Sequence, residues 1–279
     1  VKMTEQASHG FYFIAVVTLQ IMKCGFESEK EISEKQDVWD VVTNYDRRLE
    51  DLFTNAITKE YPDHKIIGEE AMSEKKELPE LTDEPTWLID PIDGTLNFIH
   101  SFPHTCISVA LAIRKEVVLG LVYNPMADEL YTAIKGEGAF LNGKPSRISR
   151  CHLYKYSVLF YSLHYIAYYL SSFWNIVGGA VRSLGCAALA LSYLAKGSVD
   201  CFYLDGLQPW DVAAGMLIAR EAGGTVIDTK GIGRGNKILF HQLAYPQTVL
   251  TMLIKTTEDV SKIIVDTDLK IQRKRLQRT

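Results

Sequence analysis

The residues most able to do chemistry lie in WLIDPIDGTLNFIH at 87–100, where two carboxylates, Asp90 and Asp93, stand three positions apart. A proline separates them, and Gly94 and Thr95 follow. Trp87, Leu88 and Ile89 read as the end of a buried strand, and Asp-Pro-Ile-Asp-Gly as a turn that stops it abruptly. Acids therefore collect at a strand's carboxyl end. Carboxylate and carbonyl oxygens are hard ligands suited to Mg²⁺. The amides of Gly94 and Thr95 are placed to open a helix, whose N-terminus attracts phosphate. A metal and a phosphate would share one corner.

Three further stretches carry acids at the edges of apolar runs: VTNYD at 42–46, GEE at 68–70 and PWDVAAG at 209–215. Each has an ordinary structural reading. Asp46 fits the start of the next helix, paired glutamates belong most often to a solvated surface, and Asp211 suits a helix's first turn by its dipole. Together with DPIDGTLNFIH, in this order and spacing, the four motifs closely resemble the inositol monophosphatase family of Mg²⁺-dependent, lithium-sensitive phosphatases. The likeness runs over roughly 30–228 and is only general in the first helix and the last fifty residues.

The resemblance implies two or three Mg²⁺ ions held by Glu70, Asp90, the main-chain carbonyl of Ile92, Asp93 and Asp211. It gives the second glutamate of the motif, Glu70 rather than Glu69, the work of binding metal and orienting the attacking water. Thr95 would act with it, and Thr43 and Asp46 would accept the relayed proton. Lys35 and Asp40 would lie near the third metal. The amides of Gly94 and Thr95 would hold the phosphate, while Asp93, Cys186, Ala187 and Asp211 would contact the sugar hydroxyls. Cys186 stands where the family usually has threonine. Leu204 stands where it has a substrate-binding glutamate, so the neighbouring Asp205 is the candidate replacement. The implied activity is hydrolysis of inositol monophosphate, with fructose 1,6-bisphosphate or a nucleotide 3′-phosphate as the related alternatives. A silent relative that binds protein or RNA is disfavoured because every expected ligand is present. The implied fold is a layered αβαβα sandwich, one continuous domain over 1–279, usually paired as a homodimer.

The elements that must position these residues are partly legible. The apolar run at 11–22 reads as a buried first helix ending at Gly25; Gln20 and Lys23 break it short of the ~20 residues a membrane span needs. A hairpin leads into a helix over 46–61, and KIIGEE into a short strand ending in acids. CISVALAI, VVLGLVY and the two short strands of ELYTAIKGEGAFLNGKPSRI follow, with Asn142-Gly143 as a tight turn. His100 and His104 lack a partner histidine at ligand spacing and read as packing residues. The aromatic region at 154–174 carries one basic residue, Lys155, so it reads as core or oligomer surface and not as a base-stacking platform. VRSLGCAALALSYLAKGSVDCFY reads as strand end, turn at Gly185, helix and strand. GLQPWDVAAGMLIAREAGG reads as a helix ending at Gly223-Gly224, and the basic end KIQRKRLQRT as a solvated tail.

Composition bounds the rest. A chain of 279 residues, 47% apolar and 23% charged, reads as a soluble globular enzyme. Thirty basic against 34 acidic side chains leave a net charge of −4, no field for holding a nucleic acid. Five cysteines without a CxxC pair suggest neither a disulfide framework nor a zinc site, and a cytoplasmic location is expected.

Overall fold

A computed structural model describes residues 17–35, 41–73, 79–148, 158–161, 180–204, 207–228 and 250–253. Helix α1 covers residues 17–27, followed by a two-stranded hairpin of β1 (Ile32–Glu34) and β2 (Val41–Thr43) and by α2 (Asn44–Glu60). A seven-stranded sheet takes β3 (Lys65–Gly68), β4 (Thr86–Asp93), β5 (Cys106–Ile113), β6 (Glu116–Asn124), β7 (Glu129–Ile134), β8 (Gly138–Leu141) and β9 (Lys144–Ser146) in sequence order. Only the first pair, β3 with β4, is parallel; the others are hairpin neighbours. Two short helices interrupt it, α3 (Glu69–Ser73) and α4 (Thr95–Ile99). A five-stranded sheet follows in the order β11-β10-β12-β14-β13, from β10 (Val158–Tyr161), β11 (Ala180–Arg182), β12 (Cys201–Leu204), β13 (Thr225–Asp228) and β14 (Leu250–Leu253). Helices α5 (Ala187–Lys196) and α6 (Pro209–Glu221) lie between the strands of this second sheet in sequence.

The period of two along each strand sorts side chains into layers. Trp87, Ile89, Ile107, Val109 and Leu111 pack with Met22, Leu49, Phe53 and Ile57 of α1 and α2. Leu88, Ala110, Val122 and Tyr131, on the opposite face, pack with α5 and α6, which also meet Phe202 and Val226 of the second sheet. Helix, sheet, helix, sheet is thus the order among the described residues. It matches the first four layers of the expected αβαβα sandwich. Bare backbone permits the tightest contacts. A Cβ on Gly120 of β6 would come within 2.8 Å of the Ala214 carbonyl oxygen, and one on Gly215 within 2.6 Å of Leu191.

Some boundaries differ from the sequence reading: ELYTAIKGEGAFLNGKPSRI forms three short strands, β7, β8 and β9, where two are expected, and α2 opens at Asn44 and not at Asp46. Helix α1 passes through Gly25 to residue 27, so this glycine is not a C-cap. A Cβ there would meet Phe98 at 2.4 Å and Tyr45 at 3.1 Å, which makes it a packing glycine. The strand before the acids does not stop at Ile89 either, because β4 continues to Asp93. The hairpin into α2, the Asn142-Gly143 turn with φ of 49° and 74°, the turn at Gly185 with φ of 66°, and the stop after α6 all agree with expectation. Among the described residues no helix is long and apolar enough to cross a membrane.

Candidate active site

Strict alternation along β4 would send Asp90 and Asp93 to opposite faces of the sheet. The register prevents this. Asp90 pairs with Ser108 and Asp93 with Cys106, so three steps on β4 oppose two on β5 and the extra residue makes a bulge. Ile92 thereby turns into the α1–α2 layer, and both carboxylates face α5 and α6. Pro91 sits in the bulge, where a missing N–H costs the ladder nothing. Glycine at 94 then turns the chain with φ +85° into α4; a Cβ there would lie 3.1 Å from two carbonyl oxygens, those of Gly185 and His104. Asn97 locks this corner by donating Nδ2 to the carbonyls of His104 at 2.7 Å and Leu184 at 2.6 Å.

Two helix starts bring the remaining acids. Asp211 is the N3 residue of α6 and accepts the Gln208 amide at 2.7 Å. Glu69 is the first residue of α3. That helix is capped by Glu50 of α2, whose carboxylate accepts the amides of Glu70 at 2.8 Å and Ala71 at 2.7 Å. One oxygen from each of Glu69, Asp90 and Asp211 lies within 4.8 Å of the other two. The glutamate that joins Asp90 and Asp211 in this group is Glu69, and the expected ligand Glu70 is not part of it. Successive residues of a helix point about 100° apart, so only the first of the pair looks at Asp90. Glu70 instead meets Lys35, whose Nζ lies 2.7 Å from Glu69 and 2.8 Å from Glu70.

Burial pushes the Asp90 and Asp211 carboxyls well up, reinforced by Glu69, by Asp93 and, at Asp90, by Asp211. Asp93 is raised to about 6 by burial, against the amide of Ala188 and the thiol of Cys186, which donate to its Oδ2 at 2.5 Å and 3.2 Å. Glu70 is raised to about 7 by burial and by Glu69. Burial alone would lower Lys35, but the two glutamates outweigh it and raise its ammonium. Asp90 Oδ1 has no hydrogen-bond partner. Three crowded carboxylates with an orphaned buried oxygen fit a bound divalent cation, and an all-oxygen donor set fits Mg²⁺.

A run of hydrogen bonds through Thr95, Asp46 and Thr43 adjoins the acids. Thr95 Oγ1 lies 3.4 Å from Asp46 Oδ1 and 3.1 Å from the Ile92 carbonyl. Asp46 is fixed in turn by a capping box, its Oδ2 accepting the Thr43 hydroxyl at 2.5 Å and the Thr43 amide at 2.8 Å. Burial raises Asp46 to about 6.

Similarity to known proteins agrees with this geometry. A family profile described as the inositol monophosphatase family matches residues 5–262. The chain belongs to the inositol monophosphatase family. It is 44% identical over 221 residues to inositol monophosphatase 2 of Solanum lycopersicum, covering 76% of this chain and 83% of that one. Inositol monophosphatase of Dictyostelium discoideum is 41% identical over 215 residues, covering 74% and 78%. The solved IMPase of Thermotoga maritima superposes with a TM-score of 0.77 at 29% identity, covering 91% of this chain and 94% of that one.

For an inositol monophosphatase family member, the residues expected on the sugar side lie as follows. Cys186 and Ala187 are buried, and the Cys186 thiol is directed at Asp93. Asp40 and Asp205 lie outside the described residues, as do most of the aromatic region and the basic tail. Leu204 ends β12, paired with Leu250. His104 packs against Phe102 and Tyr193 and is held at about 4 by burial, as a packing histidine would be. His100 is exposed at the end of α4. Sequence reasoning missed Glu69, Glu50 and Cys106. For Glu69 the signal was present in the motif, but the choice between two neighbours depends on where the strand ends.

Proposed function

We propose that this protein is a Mg²⁺-dependent phosphomonoesterase that hydrolyses inositol monophosphate to inositol and phosphate. The supporting observation is the convergence of Glu69, Asp90 and Asp211 beside the Gly94–Thr95 turn, with Asp93 brought to the same face by the bulge. Glu69, Asp90, Asp93, Asp211 and the Ile92 carbonyl would hold the cations. When bound, these supply Lewis acidity and an activated water at neutral pH. The chain's own groups do the rest. The Gly94 and Thr95 amides orient the phosphate, and Thr95 passes a proton toward Asp46, which Thr43 holds in place. Lys35 keeps the two neighbouring glutamates from repelling one another out of position. No nucleophilic side chain is needed. A homodimer, a cytoplasmic location and inhibition by Li⁺ accompany this reading, on the strength of the family resemblance.

Phosphate release from inositol monophosphate, fructose 1,6-bisphosphate and a nucleoside 3′-phosphate, with and without Mg²⁺ and with added Li⁺, tests the reading. Mg²⁺-dependent release favouring the inositol ester is expected, abolished in Asp93→Asn and Asp211→Asn proteins that still fold. Turnover retained in either variant would contradict it.

A further inference from the structure

One oxygen of Asp93 faces sulfur. Cys106 begins β5 and Cys186 caps α5, 80 positions apart in the chain, yet their buried Sγ atoms lie 3.5 Å from one another. Both approach Asp93 Oδ2, Cys186 at 3.2 Å and Cys106 at 3.9 Å. The Leu189 amide, in the first turn of α5, faces both sulfurs. The phosphate chemistry uses neither thiol.

The triangle has the size of a metal site. Tetrahedral zinc, with Zn–S of about 2.3 Å and Zn–O of about 2.0 Å, separates two sulfurs by about 3.8 Å and a sulfur from an oxygen by about 3.5 Å. The three observed separations each fall within about 0.4 Å of those edges.

We propose that Asp93, Cys106 and Cys186 form a site for a thiophilic divalent cation, Zn²⁺ or Cd²⁺, held by two thiolates and one carboxylate oxygen with a fourth position for water. Softness divides the cations: oxygen-only ligands at Glu69, Asp90 and Asp211 suit Mg²⁺, while sulfur selects zinc and cadmium. The incoming cation displaces both thiol protons. Two thiolates and a carboxylate leave one net negative charge around a divalent ion, and the amides of Ala188 and Leu189 offset it. Half-buried Asp93 links the two sites, so a soft cation slows phosphate release; this consequence alone rests on the phosphatase reading.

The test titrates the reduced, metal-free full chain with Cd²⁺ in excess Mg²⁺ and follows the ultraviolet thiolate-to-cadmium charge-transfer band, which oxygen ligands do not produce. One equivalent saturates the band. Cys106→Ala and Cys186→Ser each weaken Cd²⁺ binding by on the order of a hundredfold, the share of one ligand in a four-ligand site. Cys24→Ser removes an exposed thiol and leaves the band intact. Cys106→Ser, closer in volume, serves if the alanine variant shows a collapsed thermal transition. Equimolar Zn²⁺ slows wild-type phosphate release but not that of the Cys106 variant, each relative to its own rate. No band at one equivalent, or a band that survives loss of both cysteines, overturns the proposal. The band reads sulfur ligation whether or not the protein hydrolyses esters, so a silent phosphatase assay counts against the proposed function and leaves the metal site standing.

Discussion

At the scale of the residue, the choice between Glu69 and Glu70 as ligand turns on direction. Glu69 shares its space with Asp90 and Asp211, whereas Glu70 ends on Lys35. Loss of a partner that merely orients a metal ligand costs about 10–100-fold. Glu69→Gln should therefore lower Mg²⁺-dependent phosphate release by more than about a hundredfold, and Glu70→Gln by about tenfold. Steady-state rates over a range of Mg²⁺ concentration decide between them; equal losses would return Glu70 to the ligand set. Thr95 makes a second case. Thr95→Ser keeps the hydroxyl that faces Asp46 and the Ile92 carbonyl and should retain most activity, while Thr95→Val keeps the shape alone and should lose about 10²-fold or more in kcat with little change in KM. The four acidic motifs were legible because each joins an acid to an apolar run. Their relative directions were not, since a one-residue difference in where β3 ends selects which glutamate faces inward.

At the scale of the element, α3 is a five-residue helix too short to hold itself. Its start is held by Glu50, reaching across from α2 to two of its amides under Gly68, where a Cβ would come within 2.5 Å of the carboxyl carbon. Removing that acceptor strands two buried or half-buried N–H groups, each costing about 1–3 kcal/mol. Glu50→Ala should then lower the urea midpoint and raise the Mg²⁺ concentration needed for half-maximal rate. Glu50→Gln, which keeps one acceptor oxygen, should fall between. A variant that loses stability with unchanged Mg²⁺ dependence would detach Glu50 from the placing of Glu69. No local pattern could disclose this link, because Glu50 lies on a helix face that reads like any charged surface. The β4 bulge was hidden for a related reason: Asp-Pro-Ile-Asp-Gly carries turn residues, and only pairing with β5 keeps it a strand with its two acids on one side.

At the scale of the whole molecule, the starts of α2, α3, α4, α5 and α6 converge on the acids, supplying Asp46, Glu69, the Gly94–Thr95 turn, the Ala188 amide and Asp211. Positive helix ends soften the repulsion of so many carboxylates without abolishing it. Asp46 and Asp93 are raised to about 6 and Glu70 to about 7, and Asp90 and Asp211 are pushed well above the ordinary carboxyl value, burial being the first cause in each. A carboxyl whose folded pKa exceeds its unfolded value keeps its proton longer in the folded chain. Between the ordinary 3.8 of aspartate and about 6 for Asp46 and Asp93, the folded state thus binds more protons, and stability falls as pH rises. His104, held at about 4 against an ordinary 6.5, works in the opposite sense, contributing stability above 6.5 that is lost as pH falls toward 4. One imidazole is outweighed by these carboxyls, so the metal-free protein should melt lower at pH 7.5 than at pH 5. Cations that take the place of those protons stabilise the fold by mass action, and more strongly where the protons have gone. Saturating Mg²⁺ should therefore raise Tm by about 5 °C or more at pH 7.5 and by little at pH 5, measured by calorimetry at both pH values. An equal rise at the two pH values would mean that the bound cation and the buried protons do not compete for the same oxygens.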